Sequence, residues 1–154
     1  MIDIKLIVVG KIKEKYLDEA IAEYLKRIKP MASLNIVEIK ECNLYDEARN
    51  LKEEGKMILD NISDNNYVVT LEIEGKELSS VNFSSFIDKH YLYSNKTLTF
   101  IIGSSCGLDD EVKRRSDYKL SFSKMTFPHQ LMRVIFLEQL YRALAISNNL
   151  KYHK

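Results

Sequence analysis

An α/β domain, a mostly parallel sheet flanked by helices, is the fold class that this chain predicts. Three observations carry the prediction. Short β-branched runs alternate with stretches of helical period along the whole sequence. Glycine and proline are scarce, at 5 and 2, which argues against an all-β or linker-rich design. The 154 residues, 45% hydrophobic and 29% charged, suit one globular domain with a real core, so residues 1–154 are read as a single unit.

The elements follow in order. Ile2–Val9 is a β-branched apolar run, a buried strand that Gly10 ends. From Lys13 to Lys29 the apolar residues Tyr16, Leu17, Ala20, Ile21, Tyr24, Leu25 and Ile28 keep a 3.6-residue period, and Pro30 stops the helix. Leu34–Ile39 reads as a second strand. Tyr45–Ile62 reads as a charged helix with Ala48, Leu51, Met57, Ile58 and Leu59 inward, weakened locally by Gly55. Tyr67–Ile73 is a strand, Glu74–Glu77 a turn, and Ser79 or Ser80 caps a helix over Val81–Leu92. Thr97–Ile102 is the next buried strand, followed by Gly103-Ser-Ser-Cys-Gly107 and a short helix over Asp109–Arg115, acidic at its start and basic at its end. Tyr118–Phe122 is the last strand. Pro128 sits in the first turn of a final helix that runs to about Asn148. That helix is apolar on more than one face, which predicts burial on a second side by another copy of the chain.

Charge and composition narrow the function. Net charge is +1, but residues 1–104 carry −3 and residues 105–154 carry +4, so an anionic partner is expected near the C-terminal half. The total is too small for a strong grip on naked nucleic acid. No apolar run approaches a membrane span, and the charged N-terminal run reads as a strand, not a signal peptide. Cys42 and Cys106 lie far apart with no CxxC, the pattern of reduced thiols in a cytoplasmic protein. His90, His129 and His153 have no metal-ligand spacing, so no metal is expected.

Ligands of parallel α/β sheets bind outside the C-terminal ends of the strands. Three loops qualify: those after Leu71, after Ile102 and after Phe122. The third, Ser123–Gln130, is too apolar for an ordinary surface turn and too rich in donors for plain core. The glycine loop after Ile102 has neither GxxxxGK[ST] nor GxGxxG, so nucleoside triphosphates and the dinucleotide fingerprint are not supported. Cys106 has no base nearby in sequence and makes a poor nucleophile candidate. No Ser-His-Asp order or paired-carboxylate spacing stands out.

The segments IKLIVVGKIKEKY, TLEIEGKELSS (Thr70–Ser80), FIIGSSCGL (Phe100–Leu108), LSFSKMTFPHQLMRVIFLEQLYRA (Leu120–Ala143) and the terminal YHK occur in the order and spacing of a known family. Over its whole length the chain resembles the SPOUT-class RNA methyltransferases, specifically the small bacterial type that methylates N3 of a pseudouridine in large-subunit ribosomal RNA. The resemblance implies a SPOUT fold with a C-terminal deep trefoil knot, a rare topology. It implies S-adenosyl-L-methionine as cofactor, a homodimer, and the assembled ribosome as substrate. It also implies a cofactor pocket lined by Leu71, Gly103, Phe122, Ser123, Lys124, Met125, Thr126 and Phe127. One departure stands out. The family commonly reads Gly-Gly-Ser-Asn-Gly where this chain has Gly-Ser-Ser-Cys-Gly, so Ser104 and Cys106 bear on cofactor affinity.

Such chemistry needs a group to take the imide proton and groups to position the base. His129, Tyr152, His153 and Arg142 are the candidates, Tyr152 and His153 on a tail that could close over the substrate across a dimer. Surface pairing of Arg142 with Glu138 is the competing role for that arginine. Lys113, Arg114, Arg115, Lys124, Arg133, Lys151 and Lys154 are candidates for RNA phosphate contact. A non-catalytic ribosome-binding or assembly factor on the same fold is the alternative reading. A methyltransferase acting on transfer RNA ribose would call for an added RNA-binding domain.

Overall fold

The computed structural model describes residues 1–154. Five strands, β1 (Ile2–Val9), β2 (Ala32–Ile39), β3 (Asn66–Glu77), β4 (Thr97–Ile102) and β5 (Tyr118–Ser121), form one sheet in the order β2-β1-β4-β3-β5. All four pairings are parallel. The helices are α1 (Lys15–Ile28), α2 (Glu47–Asp60), α3 (Ser80–Tyr93), α4 (Asp110–Arg115) and α5 (His129–Ser147).

The period-2 alternation of the strands sorts the core into two layers. Ile4, Leu6, Val8, Leu98 and Phe100 face α1, α3 and α5, where Phe136, Leu137 and Leu140 of α5 fill the centre. Ile7, Val9, Val68 and Ile101 face the other way, onto Ile58 of α2 and Val112 of α4. Phe100 stands 4.8 Å from Phe136 and 5.9 Å from Phe83, centroid to centroid, so aromatic contacts join β4 to both α5 and α3. Hydroxyl bonds pin α3 to α5 as well: Ser84 Oγ donates to the Ala143 carbonyl at 2.7 Å and Ser147 Oγ to Asp88 at 2.7 Å.

Three expectations need correction. Glu74–Glu77 is not a terminating turn. β3 pairs with β5 through Leu71↔Leu120, bulges out over the next four residues, and rejoins at Lys76↔Leu120. Gly75 makes the bulge possible, because a Cβ there would lie 2.8 Å from the Lys119 carbonyl carbon. Ala48 is exposed; Ile58 is buried as expected, with Met57 and Leu59 packed beside it, and Glu54 and Gly55 complete the inner face of α2. Pro128 precedes α5 as its N-cap residue, with its carbonyl accepting from Met132 N.

Candidate active site

The loops after β4 and β5 and the β3 bulge meet at the C-terminal edge of the sheet and enclose a cavity of about 430 Å³. Its walls are largely apolar: Leu71, Ile102, Leu108, Leu120, Phe122, Phe127 and Met132. Its polar groups come from four elements. Ser104 and Ser105 come from the β4 loop, Ser123 and Thr126 from the β5 loop, Glu72 and Glu74 from the bulge, and Lys113 from α4. Glu72 is steadied by a 2.6 Å hydrogen bond from Thr70 Oγ1.

Each loop has a local reason for its shape. Ser104 and Gly107 form a one-residue bridge, with Gly107 N donating to the Ser104 carbonyl at 2.9 Å, and Gly107 adopts φ +91°. A Cβ on Gly103 would fall on the Gly107 carbonyl. The glycine expected to admit a ligand is thus required first by the loop's own closure. After β5, Ser123 Oγ accepts from Met125 N at 2.9 Å, and Ser121 Oγ donates to the Ser123 carbonyl at 3.1 Å. This tight turn points Phe122 inward, 6.1 Å from Phe83 and 6.0 Å from Phe136, and leaves Lys124 exposed.

Seven of the eight residues expected at the cofactor pocket line the cavity: Leu71, Gly103, Phe122, Ser123, Met125, Thr126 and Phe127. Lys124 does not. His129 lines it too, at the first turn of α5. Its Nε2 lies close to Gly10, where a methyl group would sit 3.6 Å from it.

Arg142, Tyr152 and His153 come together, but elsewhere. Arg142 is bonded to Glu138 through Nε at 2.9 Å and through Nη2, and donates from Nη1 to His153 Nδ1 at 3.2 Å. Tyr152 donates to Glu138 at 3.1 Å, packs edge-on against Tyr141 at 4.7 Å, and has the Arg142 guanidinium 4.7 Å above its ring. Burial and its hydrogen bonds push the Tyr152 hydroxyl up to about 12, so it stays protonated at neutral pH. Thirteen residues of α5 separate this cluster from His129, roughly 20 Å at 1.5 Å per residue.

Two basic candidates have structural work. Arg115 bonds Asp117 at 3.2 Å and the carbonyls of Ser63 and Asn66 at 3.0 and 3.1 Å. Arg133 is buried, bonded to Glu38 at 2.8 Å and to the Gly10 carbonyl at 3.0 Å.

Sequence reasoning missed Glu72, Glu74 and Lys113 as cavity residues, and it missed Glu54. Glu54 is 3% exposed beneath the cavity loop and accepts from Cys42 N at 2.9 Å. Burial pushes its carboxyl up from the ordinary value, against the lowering effect of the Cys42 amide and the Ser104 hydroxyl. Ser104, the departure noted above, is itself 9% exposed, and its hydroxyl serves Glu54 and accepts from Cys106 N at 3.3 Å. Both cysteines are free thiols, no three His, Cys, Asp or Glu side chains converge as metal ligands, and no helix is long and apolar enough to cross a membrane.

Known proteins place this architecture. Two solved structures share the fold: a probable methylase family protein from Haemophilus influenzae (TM-score 0.55, 14% identity, 99% of this chain and 71% of that one) and a probable methyltransferase from Bordetella pertussis (TM-score 0.59, 9% identity, 93% and 95%). Curated relatives are much nearer in sequence. Proteins of Clostridium acetobutylicum and Carboxydothermus hydrogenoformans are each 49% identical, and one of Clostridium botulinum is 51% identical, over 158 aligned residues covering 99% of both chains. Each bears the name ribosomal RNA large subunit methyltransferase H. The family profile described as "Predicted SPOUT methyltransferase" matches residues 2–153, and the chain belongs to that family.

Proposed function

We propose that this protein transfers a methyl group from S-adenosyl-L-methionine to large-subunit ribosomal RNA, at N3 of a pseudouridine, within the assembled ribosome. The observation that carries the reading is the cavity itself, built by the segments that resemble the family and lined by seven of the expected cofactor residues. The relatives' shared name supports the RNA class.

The residues present fit the cofactor. A cavity of this size and composition suits a small ligand with an apolar ring and a polar tail. Leu71, Phe122 and Phe127 offer apolar surface to an adenine, and Ser104, Ser105, Ser123 and Thr126 offer hydrogen-bonding groups. Glu72 and Glu74 bring negative charge to a ligand that carries a cationic sulfonium and an ammonium. When bound, the cofactor supplies an activated methyl electrophile.

The protein's part is alignment and proton removal. Walls fixed by the Phe122–Phe83–Phe136 contacts hold the site rigid, and positioning is the larger contribution, up to roughly 7–11 kcal/mol. His129, on the cavity's inner rim, is the group assigned to accept the N3 proton, worth on the order of 10²–10⁴ in rate. Tyr152, held protonated, is assigned with His153 to positioning the substrate ahead of proton handling.

Arg142, Tyr152 and His153 require a homodimer in this scheme. A second copy packed on the exposed Leu131 and the half-buried Val134 and Ile135 of α5 would bring its tail cluster to this cavity. The deep trefoil knot, with β5 and α5 as the threaded segment, and a cytoplasmic location belong to the same proposal.

The test is transfer of labelled methyl to ribosomes from cells lacking the modification, with free ribosomal RNA in parallel. Label at N3 of a pseudouridine, only in assembled particles, is the expected result. Cofactor binding without transfer would reject the substrate, and no cofactor binding would reject the reading of the cavity.

A further inference from the structure

The cavity uses the C-terminal ends of β3, β4 and β5. Those of β1 and β2, on the far side of His129, are not used by the cofactor reading, and their loops have an unusual character. We propose that the β1–α1 and β2–α2 loops form an RNA-docking shelf, in which Lys11 and Lys13 contact backbone phosphates and Tyr45, backed by Arg49, stacks on an unpaired base.

The first loop, residues 10–14, is tied to the site. Lys13 N donates to Gln130 Oε1 at 2.9 Å, next to His129, and Gly10 lies close to His129 Nε2. Lys11 and Lys13 are both exposed, and neither has a carboxylate within ion-pair distance, whereas Lys15 is drawn to Glu19.

The second loop is held firmly yet turns apolar groups outward. Asn50 Oδ1 accepts from Tyr45 N and Asn50 Nδ2 donates to the Tyr45 carbonyl, both at 2.9 Å, while Glu54 holds Cys42 N. On this frame Tyr45 is 43% and Leu44 79% exposed, and the Arg49 guanidinium lies 3.7 Å over the Tyr45 ring centroid. An exposed tyrosine stiffened by a stacked arginine costs little further entropy to stack on a base, and sequence-specific RNA readers favour such platforms.

The acids of the two loops do not cancel this surface. Asp46 is occupied in capping α2 through Arg49 N, and Glu41 turns in toward Gly10 and Glu54, leaving Glu14 and Glu47 at the edges. The shelf borders His129 on the side away from the cofactor loops, where an acceptor base must enter. RNA, with phosphates for the lysines and unpaired bases for the tyrosine, matches both halves of the surface, which a protein partner would not need.

This inference rests on the RNA-methyltransferase reading, and its test separates the two. Binding of the full-length protein to large ribosomal particles and to single-stranded RNA oligomers is measured across a salt series, for wild type, K11A/K13A, Y45A and Y45F. S-adenosylhomocysteine affinity and thermal unfolding are measured on the same samples. K11A/K13A should weaken RNA binding about fivefold or more and flatten the slope of log K against log salt by about 1–2. Y45A should weaken it about fivefold or more with an unchanged slope, and Y45F should restore it. Cofactor affinity and unfolding should not move. Wild-type affinity for RNA in both K11A/K13A and Y45A would overturn the shelf, as would losses confined to particles and absent on RNA, which would assign it to a ribosomal protein. Failure of the wild type to bind S-adenosylhomocysteine would count against the cofactor reading alone.

Discussion

Replacing Arg133 probes how the N-terminal part of α5 is anchored beside the site. Its guanidinium makes two good bonds, to Glu38 at 2.8 Å and to the Gly10 carbonyl at 3.0 Å, from a side chain that is 5% exposed. Breaking a fully buried pair typically costs about 3–5 kcal/mol. That figure is too high here for two reasons. Glu38 is 46% exposed, so its carboxylate regains water once the arginine is gone. Arg133 Nε is buried with no partner, so the native residue already carries one unsatisfied donor. What remains is the unpaired Gly10 carbonyl and one charge-assisted bond, about 2 kcal/mol for R133M, which keeps the stem volume. R133A adds lost packing and should reach about 3 kcal/mol. For a domain of this size, R133M then lowers Tm by about 4–8 °C. Urea unfolding with matched slopes gives the free energies, and E38Q is the control, expected to cost under about 1 kcal/mol. An R133M variant within about 0.5 kcal/mol of wild type, or an E38Q loss as large as that of R133M, would refute the reasoning.

Other substitutions test the site. G103A should cost about 1–3 kcal/mol and weaken S-adenosylhomocysteine binding, because the methyl group meets the Gly107 carbonyl; unchanged melting with unchanged binding contradicts this. The Glu54 carboxyl is raised from 4.5 in the folded state, so its stabilising contribution is present below about pH 4.5 and lost as pH rises through the folded value. E54Q cannot ionise, and its stability relative to wild type should climb with pH above about 4.5 and then level; a flat difference across urea melts at several pH values rejects the buried-acid description. With its hydroxyl at about 12, Tyr152 supplies no limb to the rate profile near neutrality, and Y152F should keep the profile's shape while slowing turnover. H129N should lower kcat by about 10²–10⁴ with cofactor affinity nearly intact, read by single-turnover methyl transfer.

Much of the architecture was legible in the residues because each element carried its own period. The strand Thr97–Ile102 and the helix ending before Pro30 were marked by β-branched runs, apolar spacing and stops, all local signals. The cavity loops were legible for a different reason: they follow strands of a parallel sheet and match a known family. The bulge in β3 was not, since Gly75 is needed only where Lys119 passes, a neighbour 44 residues on. Glu54 was hidden for the same cause. In sequence it is one of four charged residues in the run Lys52–Lys56, and only the packing of α2 under the Ser104 loop marks it as buried. The separation of Arg142, Tyr152 and His153 from the cavity follows from the straight run of α5, and pattern alone says nothing of which end meets which loop.

The position of β1 between β2 and β4 has a consequence for how the chain acquires its shape. Ile4 pairs with Leu34 on one side and with Leu98 on the other. During synthesis one edge of β1 must therefore wait, after β2 is available, for about 60 further residues. At 5–20 residues per second that is roughly 3–12 s with an apolar strand edge open. Refolding in vitro should be correspondingly slow for a chain of this length, since the closing contacts are long-range and parallel. The nascent protein is most exposed to aggregation in that interval, and substitutions in β4 should be felt in yield before they are felt in activity.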